Sequence, residues 1–149
     1  MVLRTYPIRV GGPSGPLRNE ISWEEIQGRS GYPTALAEYT TVTGRLRRVG
    51  EFDWELARSA TQLNGPTALA LHGADYLNYE DLGVKSWGAL SQKTRGFVES
   101  LERELSVPVR YIFTGPDVND LIDRKCKWPT CPDTDRTQEF AGLNRPRRA

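Results

Sequence analysis

Apolar residues along the chain fall into short runs with two different spacings, and their alternation predicts strands interleaved with helices. Ser22 followed three residues later by Glu25 forms a capping box ahead of Trp23 and Ile26, predicting a short helix that Gly28 and Gly31-Tyr32-Pro33 end. A second short helix is expected after Pro33. Asp53 is suited to cap a helix in which Leu56, Ala60 and Leu63 recur at i, i+4 and i+7, and Asn64-Gly65-Pro66 stops it. Thr67 to Leu71 has the length and character of a buried strand, presenting His72-Gly73-Ala74-Asp75 at its C-terminal end. Phe97, Val98, Leu101 and Leu105 then line one face of a helix, and Val107 to Phe113 makes another strand ending in Thr114-Gly115-Pro116-Asp117. A helix between two apolar strands implies a crossover and parallel pairing, and open sheets of this kind bind ligands beyond the carboxyl ends of their strands. The fold class expected is α/β, with a mixed, mainly parallel sheet flanked by helices.

Composition narrows this picture without redirecting it. The 149 residues, 26% charged and 38% hydrophobic, fit one modest domain, and no apolar run approaches the ~18–20 residues of a membrane span. The segment Met1-Val2-Leu3-Arg4-Thr5 lacks the apolar core of a signal peptide, so a cytoplasmic location is expected. A net charge of +1 argues against bulk nucleic-acid binding. That charge is uneven, because residues 124–149 hold seven Lys/Arg against three Asp/Glu. Their Pro-, Asp-, Thr- and Arg-rich texture predicts a disordered basic tail at 124–149 behind a folded unit at 1–123. Within it, Cys126 and Cys131 lack the second Cys/His pair that a structural zinc site needs, and free thiols are the simpler reading. Contact of the tail with a nucleic acid or an acidic partner stays open.

Candidate chemistry concentrates in Thr41-Val42-Thr43-Gly44-Arg45-Leu46-Arg47-Arg48. A glycine lets backbone amides approach a ligand, and Arg45 and Arg47 offer planar forks suited to carboxylate or phosphate oxygens. A solvated basic turn would look the same from these residues alone. Asp75 is the second candidate, since a carboxylate can accept from the ring N–H and the exocyclic amine of guanine together, a donor pair that adenine lacks. The plainer alternative is that Asp75 caps the turn through Tyr76 and Leu77. Arg4 and Arg103 are expected to be exposed and near-silent on substitution.

Read in order, Tyr6-Pro7-Ile8-Arg9-Val10-Gly11-Gly12, Thr43-Gly44-Arg45, Arg48-Val49-Gly50-Glu51-Phe52-Asp53, Gln62-Leu63-Asn64-Gly65, Ala74-Asp75-Tyr76-Leu77 and Thr114-Gly115-Pro116-Asp117 resemble the adenylosuccinate synthetase family. The resemblance runs from about Arg4 to Arg124, corresponds to the family's C-terminal portion, and is most like its archaeal and phage branch. It implies a ligase that joins aspartate to a 6-oxopurine nucleotide such as inosinate with GTP hydrolysis, using Mg²⁺, in purine biosynthesis. By the same resemblance, Val10, Thr41, Val42, Thr43, Gly44, Arg45, Leu46 and Arg47 take the substrate positions for aspartate and nucleotide. Arg47, Gly73, Ala74, Asp75, Phe113, Thr114 and Gly115 take those of the nucleoside triphosphate. Homodimers are implied for the complete enzyme.

Departures carry information too. Gly73 stands where the family commonly has a lysine, Phe113 where a serine usually precedes Thr-Gly, Leu46 for an arginine and Val42 for a threonine. They keep ATP open beside GTP, and dGMP beside inosinate, as in the phage branch that makes 2-aminoadenine nucleotides. The family's phosphate loop, catalytic Asp and catalytic His belong to its N-terminal portion, and no Gly-rich phosphate loop with a lysine occurs here. Hence no catalytic residue and no metal ligand is assigned to this chain. It is expected to be inactive alone, needing an N-terminal partner chain. The rival expectation is a non-catalytic module that kept a nucleotide or amino-acid pocket.

Overall fold

The computed structural model describes residues 1–124. Cys126, Cys131 and the rest of the basic segment lie outside the described residues. In chain order the elements are β1 (Val2–Arg4), β2 (Ile8–Arg9), β3 (Glu20–Ile21), α1 (Trp23–Ser30), β4 (Arg48–Gly50), α2 (Trp54–Asn64), β5 (Leu69–His72), α3 (Gln92–Leu105), β6 (Val109–Phe113) and β7 (Leu121–Asp123), with short 3-10 turns at Ala74–Tyr76, Tyr79–Asp81 and Trp87–Ala89.

The larger sheet has the order β1-β5-β6-β7. β1 and β5 run parallel with Leu3 opposite Leu71, β5 and β6 run parallel with Leu71 opposite Ile112, and β7 returns antiparallel with Ile122 opposite Ile112. The α3 crossover between β5 and β6 is the one the sequence predicts. Its Val98, Leu101 and Leu105 bury against Leu69, Leu71, Val109, Ile112 and Ile122, each contributing about 1.5–3 kcal/mol relative to an exposed side chain. Asp81 anchors the start of α3. Its Oδ1 accepts the Ser91 amide at 2.7 Å, its Oδ2 accepts the Ser91 hydroxyl at 2.7 Å and the Thr94 hydroxyl, and the carboxylate is 1% exposed.

A smaller antiparallel sheet, β2-β4-β3, packs Val49 with Tyr6, Trp23, Ile26 and Leu77 in a second core. At its centre Gly50 is required by close approach, since a Cβ there would lie 2.8 Å from the Arg18 carbonyl oxygen. α1 starts as expected, the Ser22 hydroxyl accepting the Glu25 amide at 3.1 Å, and Gly31 ends it in the left-handed region at φ 78°.

Several expectations need correction. Gly28 lies inside α1 instead of ending it. No helix follows Pro33: the Glu38 carbonyl accepts the Arg47 amide at 2.8 Å and the Thr40 amide donates to the Arg45 carbonyl at 2.9 Å, committing that backbone to a hairpin-like pairing. The buried stripe of α2 is Ala57 and Thr61, whereas Leu56 and Leu63 are 63% and 88% exposed. Trp54, Phe52 and Phe97 pack together beside that stripe and set the roll of the helix. Among the described residues no helix is long and apolar enough to cross a membrane.

Candidate functional site

Because β1, β5 and β6 are parallel neighbours, their carboxyl ends meet at one rim and bring Arg4, His72 and Phe113 together. Arg4 pairs in register with His72, and the His72 ring stacks on Phe113 with centroids 5.5 Å apart and planes 22° from parallel. Burial, with the nearby Arg4 charge, holds the His72 pKa below its ordinary value. Nδ1 of His72 and Nε of Arg4 are buried, with no partner among the described residues.

Arg4 is half-buried instead of exposed, correcting the expectation of a silent position. It forms an ion pair with Glu38, whose Oε1 also accepts the Tyr76 hydroxyl at 2.9 Å and whose Oε2 lies 4.0 Å from Nε of Arg47. Glu38 therefore connects the strand rim, the turn after β5 and the arginine loop.

That loop is a hairpin tip. Gly44 sits at φ 59°, its amide donating to the Thr40 carbonyl at 3.0 Å, while the Thr40 hydroxyl accepts the Arg45 amide at 3.0 Å. The backbone amides of Thr41, Val42 and Thr43 have no partner among the described residues, and neither has the Arg45 guanidinium. Arg47 reaches the Tyr39 carbonyl at 3.4 Å, a weak contact that leaves most of its fork open. Gly11 lies against this loop, since a Cβ there would stand 2.6 Å from the Leu46 carbonyl oxygen, and Val10 beside it is 46% exposed. Arg48 leaves the set: it begins β4 and holds Glu20 through Nε at 2.8 Å and a second nitrogen at 2.6 Å.

Asp75 and Ala74 lie in the 3-10 turn after β5. Asp75 is 4% exposed, and its Oδ2 accepts the Tyr32 hydroxyl. Burial pushes the Asp75 carboxyl up despite that hydrogen bond, and burial beside Asp75 pushes the Tyr32 hydroxyl up as well. Tyr32 in turn packs on Tyr79 at 4.7 Å and edge-on to Tyr76 at 6.1 Å. Gly73 has φ 80° and its carbonyl accepts the Thr5 hydroxyl at 2.6 Å. A longer side chain at 73 would be strained and would crowd Thr5 Oγ1 at 3.0 Å.

Thr114 and Gly115 follow β6 on the same rim. Thr114 is fully buried: its hydroxyl donates to the Val84 carbonyl at 2.9 Å, its amide to the Asp120 carbonyl at 2.9 Å, and its carbonyl accepts the Gly83 amide at 3.1 Å. Gly115 lies tight against Asp120: a Cβ would fall 2.4 Å from its Oδ2, so any side chain here would have to displace that carboxylate. This loop therefore offers shape more than donors.

Gly73, Ala74, Asp75, Phe113, Thr114 and Gly115 thus lie along one rim, and Glu38 links the arginine loop to it through Arg4 and Arg47. Arg4, Tyr32, Glu38 and Tyr76 were missed by sequence reasoning. Arg4 had a signal at the end of the short apolar run Val2-Leu3, and Tyr76 stood in the motif Ala74-Asp75-Tyr76-Leu77 without a role of its own. Among the described residues no group of three or more His, Cys, Asp or Glu side chains could hold a metal ion.

Comparison with known proteins gives this rim a context. The sequence profile of the adenylosuccinate synthetase family matches residues 1–82. The adenylosuccinate synthetase of Methanocaldococcus jannaschii is 45% identical over 123 residues, which are 83% of this chain and 34% of that protein. That of Pyrococcus horikoshii is 42% identical over 125 residues, 84% of this chain and 35% of that protein. Among solved structures, the fully ligated adenylosuccinate synthetase of Plasmodium falciparum superposes with a TM-score of 0.69 at 19% identity, over 83% of this chain and 39% of that one, a likeness of fold. Succinoaminodeoxyadenylate synthetase of cyanophage S-2L, bound to dGMP and to dATP as an energy donor, superposes with a TM-score of 0.56 at 29% identity, over 82% of this chain and 32% of that one. The chain spans about a third of the length of the curated relatives it matches.

Proposed function

Since the chain belongs to the adenylosuccinate synthetase family, we propose that it is the substrate-gripping portion of a carbon–nitrogen ligase that joins aspartate to a 6-oxopurine nucleotide at the expense of a nucleoside triphosphate. The observation that carries this reading is the hairpin tip. An unpartnered Arg45 fork, a weakly held Arg47 fork and three open amides project together from a loop that Glu38 braces against the strand rim. Such a tip suits a dicarboxylate: guanidinium forks take carboxylate oxygens in pairs, and amides take the remainder. Val10 and Leu46 supply its apolar flank.

The rim beyond β5 and β6 serves the triphosphate's base in this proposal, with Gly73, Ala74, Asp75, Phe113, Thr114 and Gly115 as its wall. Asp75 reads the base only after Tyr32 swings off its carboxylate. The acceptor is inosinate in the first reading. A second reading, dGMP as acceptor with an adenine nucleotide as donor, is favoured by the likeness to the cyanophage enzyme bound to dGMP and dATP. Mg²⁺ would neutralise charge on the transferring phosphoryl group. The described residues offer it no ligand cluster, so the work assigned to them is binding and orientation. A cytoplasmic setting and the use of Mg²⁺ and GTP or ATP belong to the same proposal.

The test is kinetic. In the chain co-expressed with the rest of a family ligase, Arg45→Ala is expected to remove about 2–3 kcal/mol of transition-state binding, read as a loss in kcat/KM for aspartate. Arg45→Lys should recover only part of it, because the charge returns without the fork. Unchanged aspartate kinetics in both variants would refute the assignment, and turnover with dGMP but not inosinate would select the second reading.

A further inference from the structure

We propose that Tyr32 sets the choice of nucleoside triphosphate, as a latch whose hydroxyl must leave Asp75 before the paired donors of guanine can be read, so that the rim takes adenine with the latch shut and guanine only by opening it. This inference deepens the reading of the rim as the triphosphate's base wall and rests on it.

Two buried aspartates show the difference between a filled carboxylate and an unfilled one. Asp81, 1% exposed, receives three donors at the start of α3: the Ser91 amide, the Ser91 hydroxyl and the Thr94 hydroxyl. Asp75, 4% exposed, receives one donor from another described residue, the Tyr32 hydroxyl on Oδ2, besides its own backbone N–H. A carboxylate has about four acceptor positions, so Asp75 keeps capacity for a ligand. Arg4 does not fill it, since its guanidinium is engaged by Glu38.

The latch is held by its ring more than by its backbone. The Tyr32 ring packs on Tyr79 at 4.7 Å and edge-on to Tyr76 at 6.1 Å, which keeps the hydroxyl on Asp75. Around it the chain is loosely tied. Gly31 leaves α1 in the left-handed region, Pro33, Thr34, Ala35 and Ala37 are exposed, and the backbone amides of residues 34–38 donate to no partner among the described residues. The Tyr32 carbonyl accepts the Gln27 side-chain amide at a long 3.3 Å. A segment with so few backbone bonds opens easily, and the opening breaks the hydroxyl's bond to Asp75.

Selectivity follows from what each base gains by that opening. Guanine offers two donors side by side and needs both carboxylate oxygens, so Oδ2 must be cleared first. Adenine lacks the pair, and clearing Oδ2 brings it no second bond. The latch therefore weighs against guanine alone, by about tenfold if the bond lost is an ordinary one to an ionised group.

The test uses the full 149-residue chain, which carries the whole proposed base wall, with GTP and ATP as Mg²⁺ complexes and backbone amides and labelled tyrosines followed by NMR. In the unaltered chain GTP should shift the Cζ resonance of Tyr32, which reports the hydroxyl's hydrogen bond, whereas ATP should shift the amides of Gly73, Ala74 and Gly115 and leave that resonance in place. Tyr32→Phe, checked for cooperative melting, should raise the ratio of GTP to ATP affinity about tenfold. Asp75→Asn added to it should abolish the gain, since an amide cannot accept both donors. A tyrosine that only supports the fold would weaken both nucleotides together and leave the ratio alone. Rim amides that respond while Tyr32→Phe leaves the ratio unchanged, or a Tyr32 Cζ unmoved by bound GTP, overturn the latch and leave the base wall standing. If neither nucleotide moves the rim amides in either chain, the base wall itself falls and the latch falls with it.

Discussion

Arg4 shows how much a single side chain at a strand end can organise. Its guanidinium holds Glu38, and Glu38 holds Tyr76 and faces Arg47, so removing Arg4 leaves a half-buried carboxylate short of its counter-charge. Arg4→Ala is expected to cost about 1–3 kcal/mol in a denaturant melt, and Arg103→Ala, whose side chain is 69% exposed, close to nothing. His72 gives a pH signature. Its folded pKa lies below the unfolded value, so its contribution to stability is complete above about 6.5 and is lost as pH falls through the depressed value. His72→Gln should flatten that part of the stability profile, and an unaltered profile would place the acid sensitivity elsewhere. At this scale the sequence disclosed the arginine fork and the turn glycines, because loop chemistry is local. Tyr32 over Asp75 was illegible, because the two are 43 residues apart and only the packed fold joins them.

Among the elements, α3 depends most on a residue outside itself. Asp81 meets two hydroxyls and the Ser91 amide at the start of that helix, all from within a buried pocket. Asp81→Ala strands those donors, and a loss of about 3 kcal/mol or more is expected by thermal or denaturant unfolding; a change under 1 kcal/mol would mean that water reaches the pocket. Periodicity revealed α3, β5 and β6 because their apolar residues all serve one core. It gave the wrong face for α2, since Leu56 and Leu63 are apolar yet turned away from Ala57 and Thr61. The small sheet escaped it altogether, as strands of two or three residues are too short to show a period.

For the molecule as a whole, the proposed function assigns the described residues grip and orientation and leaves phosphoryl transfer to the rest of the family fold. The 149-residue chain alone, given inosinate, GTP, Mg²⁺ and aspartate, is expected to form no adenylosuccinate by chromatographic assay. Measurable turnover would show that a catalytic centre had been overlooked. The parallel arrangement was readable from the strand–helix–strand rhythm, but the partner of β1 was not, since pairing across the 64 residues between β1 and β5 leaves no local trace. That distance also shapes how the polypeptide assembles. β1 waits for residues 69–72 before it pairs with β5, and closing so long a loop makes this pairing a late event in folding. Until then the side of Val2–Arg4 that β5 will cover stays bare, so this strand is where folding chains are most open to chaperones and to mispairing with one another.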